Sequence, residues 1–126
     1  MKLSEARERR FEAFSHWLKG NTRLGERPRG DAVARAKRVE RALREMLGGI
    51  DLDAEYARDR LDGVLESLEY SAEDAHDHRP APAGIVFRIG TDDPRYYGKI
   101  QEGLGSLRNA VGLYREFCND VNGADR

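Results

Sequence analysis

The chain has 126 residues and a net charge of −1; that length suits one domain, 1–126, with a buried core. At 39% hydrophobic and 36% charged, it reads as a soluble, helix-rich protein with amphipathic elements. Its longest apolar run, Ile85-Val86-Phe87, falls far short of the roughly 20 residues that cross a bilayer.

The opening MKLSEARERR has no apolar core of a secretory signal. One cysteine excludes an internal disulfide, so a cytoplasmic location is expected. The first helix is predicted from Ser4 to about Leu18, with Ser4 as N-cap and Phe11, Phe14, Trp17 and Leu18 on its apolar face. Gly20 is its natural stop. Residues 20–30, GNTRLGERPRG, read as a loop that exposes Arg23, Arg27 and Arg29.

Asp31 then caps a second helix to about Leu47, with Ala32, Ala36, Val39, Leu43 and Met46 as core stripe. Lys37, Arg38, Arg41 and Arg44 fall on the opposite face, which Glu40 and Glu45 interrupt. Asp51 or Asp53 opens a third helix that buries Tyr56, Leu61, Val64, Leu65 and Leu68. Ser71-Ala72-Glu73-Asp74 has the form of a capping box at the start of a short fourth helix.

Residues 79–92 change character, because each proline in RPAPAG disfavours helix in the residue before it. Ile85-Val86-Phe87-Arg88-Ile89 could form a short strand but has no partner strand, so an extended connector across the helices is expected. Asp93-Pro94 supplies the cap and first turn of a long last helix. Its ladder is Tyr97, Ile100, Leu104, Leu107, Val111, Tyr114, Cys118 and Val121, in steps of three and four. The predicted fold is all-α: four or five helices around a long C-terminal spine.

Candidate chemical sites are few. Asp51, Asp53, Glu55, Asp59 and Asp62 have the spacing of a calcium loop, but Tyr56 stands where the sharp turn needs glycine. A capped acidic helix explains them at lower cost. His76 and His78 are two apart and do not share a helix face, so a solvated polar segment is expected and no metal. Cys118 lies on the apolar ladder, where cysteine behaves as a small hydrophobe. The serines lack a nucleophile elbow and the glycine loop lacks a Walker lysine. No enzyme activity and no cofactor is expected.

Charge is unevenly spread. Residues 1–47 carry 13 Lys and Arg against 7 Asp and Glu, whereas residues 51–78 carry 2 Arg against 10 acids. The two segments could neutralise each other or form a bipolar surface with a polyanion on its basic side. In the second case Arg23, Arg27, Arg29, Lys37, Arg38, Arg41 and Arg44 would form one strip facing phosphates.

The spine carries Gly98, Gly105 and Gly112 at seven-residue spacing, with Gly103 beside them, well away from its apolar stripe. An irregular lead-in would account for Gly98 and Gly103, and close approach of a second helix for Gly105 and Gly112. Together Gly98, Gly105 and Gly112 mark a second candidate interface.

The stretch SLRNAVGLYREFC resembles a pattern at the end of small helical modules in prokaryotic DNA-processing proteins. The matching positions are Ser106, Leu107, Ala110, Val111, Tyr114 and Phe117. FEAFSHWLKG, a Thr-containing loop and RAKRVERAL resemble the opening helices of SAM-like domains. Such domains form the core-binding arm of phage integrases and precede the nuclease in some restriction-type proteins. The resemblance implies a module that touches duplex DNA while another domain does the chemistry. The recombinase Arg/His/Tyr set is not matched, and the acidic segment 51–78 is unfavourable for wrapping DNA. The expected function is thus a non-catalytic DNA-binding or DNA-associated accessory domain. The alternative is a protein-interaction module, docking a partner or a second copy through the glycine face.

Overall fold

A computed structural model describes the backbone of residues 2–47, 51–79 and 96–123, and side chains within 5–44, 51–79 and 100–121. Every regular element among them is helical: α1 (Lys2–Asn21), α2 (Glu26–Leu47), α3 (Leu52–Asp59), α4 (Asp62–Ser67), α5 (Ala72–His76) and α6 (Tyr96–Gly123). The predicted all-α fold with a long C-terminal helix is the observed one. At about 1.5 Å per residue α6 runs roughly 42 Å, and it touches all five other helices.

Periodicity explains the core. Ile100, Leu104, Leu107, Val111, Tyr114 and Cys118 are buried along α6, facing Phe11, Phe14 and Leu18 of α1 and Ala32, Ala36, Val39 and Leu43 of α2. The aromatic rings interlock where α1 crosses α6. Phe14 meets Tyr114 edge-on at 5.0 Å and lies 5.5 Å from Phe117, with Tyr114 and Phe117 also 5.5 Å apart. Such tilted pairs are favoured by the ring quadrupoles. Trp17, half-buried, donates from Nε1 to Asp120 at 2.8 Å and ties the same two helices at their edge. The ladder ends before its last rung, since Val121 is 51% exposed.

Several boundaries differ from expectation. α1 starts at Lys2, so Ser4 lies inside the helix and does not cap it. α1 ends at Asn21, one residue past Gly20, where the Leu18 carbonyl accepts from both Thr22 Oγ1 at 2.6 Å and Thr22 N at 3.1 Å. α2 starts at Glu26 and not at Asp31, which makes the loop much shorter. Pro28 sits in the first turn of α2, where its missing N–H would have had no helical acceptor. Arg29 secures that start by donating from Nη1 to the Leu24 carbonyl at 2.8 Å.

The expected third helix is broken in two. Arg60 and Leu61 both take left-handed backbone, with φ of 61° and 69°. The turn places Leu61 fully inside the core, which offsets a cost of about 1–2 kcal/mol per left-handed residue. Arg60 adds its guanidinium over the Tyr56 ring at 4.9 Å and a 2.6 Å bond to the Tyr56 hydroxyl. Asp59 Oδ2 then accepts from Gly63 N at 3.0 Å, and a Cβ at Gly63 would stand 2.9 Å from that oxygen. A side chain at Gly63 would have to displace the Asp59 carboxylate.

Other local readings hold. Asp51 is the N-cap of α3, accepting from Ala54 N, and Ser71 with Asp74 forms a complete capping box on α5. The caps also bind Arg79 to Asp74 at 2.5 Å; the Ser71 backbone bond and Arg79 hold the Asp74 carboxyl below its usual range. The connector over 79–92 falls, from Pro80 onward, outside the described residues, as do Asp93-Pro94 and the side chains of Met46 and Tyr97. The backbone of Gly98 and Gly103 is regular helix, so no irregular lead-in occurs at those glycines.

Candidate functional site

Helix α2 divides its charges between two environments. Its core stripe looks into the bundle, and the flank beside it is covered by α1. Glu40, expected to interrupt the exposed face, is completely buried on that flank. Its Oε1 lies 3.0 Å from Arg7 Nε, an ion pair without hydrogen-bond alignment. Arg10 Nη2 donates to both Glu40 oxygens at 2.8 Å, and Leu52 N donates to Oε2 at 3.0 Å. The carboxylate thereby joins α1, α2 and the start of α3.

The network continues to α6. Arg10 Nη1 lies 3.3 Å from Asp53 Oδ2, and Tyr114 Oη donates to Asp53 Oδ1 at 2.7 Å. Burial opposes the charge on Arg10, yet Tyr114, Glu40 and Asp53 outweigh it and hold its pKa above the ordinary arginine value. Burial, followed by the bond to Asp53, pushes the Tyr114 hydroxyl well above its usual range. Burial also pushes the Cys118 thiol up to about 12. A thiol with that pKa remains protonated at neutral pH and is a poor nucleophile. Among the described residues no three His, Cys, Asp or Glu side chains gather to hold a metal ion.

The seven basic residues expected as one strip separate. Lys37 turns to α1, with Nζ 3.6 Å from Glu8 Oε2 and 5.6 Å from the Phe11 ring centroid. Arg44 is half-buried and its Nε has no hydrogen-bond partner. Arg29 is spent on the Leu24 carbonyl. Arg23, in the short loop, and Arg27, Arg38 and Arg41, on α2, are exposed. At about 100° per residue the three helical arginines share the face opposite the core stripe and span about 21 Å.

A groove runs along α6, and of the spine glycines Gly112 lines it while Gly105 does not. Its walls are Pro28, Ala32 and Arg35 of α2 with Leu24 of the preceding loop, and Asp62, Leu65 and Glu66 of α4 with Glu69 just beyond it; its volume is 1170 Å³. Gly112, Ser106, Asn109 and Leu113 of α6 lie between them. A Cβ built at Gly105 or Gly112 would meet nothing within 4 Å. Each interior glycine costs about 1 kcal/mol relative to alanine, and packing among the described residues gives neither a return. Of Gly98 only the helical backbone is described.

Sequence reasoning missed Arg7, Arg10 and the role of Glu40. A signal was present: Glu40 lies one position after Val39 and about 80° from the stripe centre, on a flank a neighbouring helix could cover. The groove carried no such signal, because it depends on where α4 lands after the left-handed turn. Compared with protein-family models, curated proteins and solved structures, the chain matches none. Among the described residues no helix is long and apolar enough to cross a membrane.

Proposed function

We propose that this chain is a non-catalytic, DNA-associated accessory module that meets the phosphate backbone of duplex DNA through the outer face of α2. The observation that carries the reading is the shared outward direction of Arg27, Arg38 and Arg41, with exposed Arg23 just before the helix. Guanidinium groups bind phosphate oxygens in two-pronged fashion, and contacts of this kind position a protein on DNA without reading sequence. The resemblance of α1, α2 and α6 to helical modules of DNA-processing proteins supports the same reading.

Lys37 and Arg29 are left out of the contact set because each has a partner within the chain, and Arg44 because it is half-buried. The acidic α4 lies across the groove from α2 and would face away from a duplex seated on the α2 arginines. Fluorescence anisotropy with a labelled duplex at low salt tests the proposal. Reversing Arg38→Glu and Arg41→Glu together is expected to weaken binding at least tenfold, about 1.4 kcal/mol. Absence of duplex binding by the unaltered chain overturns it.

A further inference from the structure

We infer that a recess between α3 and α6, lined also by Arg10 of α1, binds a small organic monoanion: a carboxylate on an apolar body, held by Arg60. The recess has a volume of 550 Å³, inside the range of about 300–1,000 Å³ typical of small-molecule pockets. No residue of α2 lines it, so it is separate from the arginine face assigned to DNA. Phe117 and Cys118, both buried, and Ala57 and Val121, both exposed, give it an apolar lining drawn from two helices. Among the described residues Val121 is the large hydrophobic side chain that the fold leaves in solvent, at 51% exposure.

Three charged residues line the recess, and one has charge to spare. Arg10 gives Nη2 to Glu40 and Nη1 to Asp53. Asp53 is matched in turn by Arg10 at Oδ2 and by the Tyr114 hydroxyl at Oδ1. Arg60 has no carboxylate within ion-pair distance among the described residues. Of its five N–H groups it uses one, on the Tyr56 hydroxyl at 2.6 Å. That guanidinium is also held in place: it stacks on the Tyr56 ring at 4.9 Å, and the Tyr56 hydroxyl donates to Asn119 Oδ1 at 2.5 Å. A fork fixed before binding loses less freedom when it closes on a carboxylate. One spare cation matches one negative charge. A dianionic phosphate would need a second, and Arg10 is already committed; a cationic ligand would meet Arg60 and find the Asp53 oxygens taken.

Isothermal titration of the intact chain with phenylacetate, acetate and benzylammonium tests the inference. Phenylacetate should bind at least tenfold more tightly than acetate, which lacks the apolar body, and than benzylammonium, which reverses the charge. Arg60→Gln removes the spare charge and should weaken phenylacetate at least tenfold. Val121→Asp should do the same by placing a carboxylate at the apolar edge, at a position already in solvent. Circular dichroism checks that each variant stays folded. Amide chemical shifts on adding phenylacetate should move at Ala57, Arg60, Phe117 and Val121. No binding of phenylacetate, binding of benzylammonium or acetate as tight as that of phenylacetate, or full retention by either folded variant overturns the inference. Shifts confined to the α2 arginines would overturn it too.

Discussion

Glu40 and Arg41 are adjacent in sequence and meet opposite fates. Glu40 is sealed between α1, α2 and α3 with two arginines and a backbone amide, while Arg41 stands in solvent on the far side of the same helix. The difference is one of cover. α1 lies over one flank of α2 and converts its charges into fold; the outward face is left to solvent. A buried charge whose partner is removed is costly, whereas an exposed one is nearly neutral for stability.

That contrast can be broken most severely at Glu40. Glu40→Ala takes from Arg7 its ion pair and from Leu52 N its acceptor, leaves Arg10 only the Asp51 and Asp53 carboxylates, and should cost about 3–5 kcal/mol of unfolding free energy in urea titration. A loss below about 1 kcal/mol would mean that water reaches the cluster and that the two environments differ less than described. Next in size is a gain: Gly105→Ala and Gly112→Ala should each stabilise by about 0.5–1 kcal/mol, read as a higher melting temperature. Destabilisation would show that this fold does use those glycines.

The alkaline limb gives a smaller effect. Cys118 has its folded pKa raised to about 12 from an ordinary 9.0, chiefly by burial. A raised folded pKa means the contribution to stability is complete below the unfolded value and is lost as pH climbs from about 9 toward 12. Cys118→Ala should therefore flatten the pH dependence of stability between about pH 9 and pH 10, before tyrosine ionisation adds its own loss. An unchanged pH profile would place the thiol in water. Smallest of all should be Arg27→Ala, Arg38→Ala and Arg41→Ala, each within about 0.5 kcal/mol of the parent in urea.

The apolar ladder of α6 and the stripe of α2 were legible in the sequence because three-four spacing maps directly onto a buried helix face. The caps at Asp51 and Ser71 were legible for the same kind of reason: a short polar side chain beside a helix start has few other uses. The break at Arg60-Leu61 was hidden, since DRLDG holds no proline and neither left-handed residue is glycine. Only the tertiary requirement to bury Leu61 creates it. The early start of α2 was hidden by Pro28, which is as compatible with a first turn as with a loop. For the candidate site, residue type and period identified the outward arginines. They could not say that α1 would claim Lys37 and that Arg44 would lie half-buried, because a helical wheel knows the centre of a buried stripe but not its width.

The salt dependence of duplex binding tests the division of α2 most directly. The slope of log K against log salt is about −0.9 per phosphate neutralised. Replacing Arg27, Arg38 and Arg41 by alanine should make it shallower by about 2.7, while replacing Lys37 and Arg44 should leave it as it was. A slope insensitive to the three outward arginines, or one that flattens with Lys37 and Arg44 instead, would contradict the account.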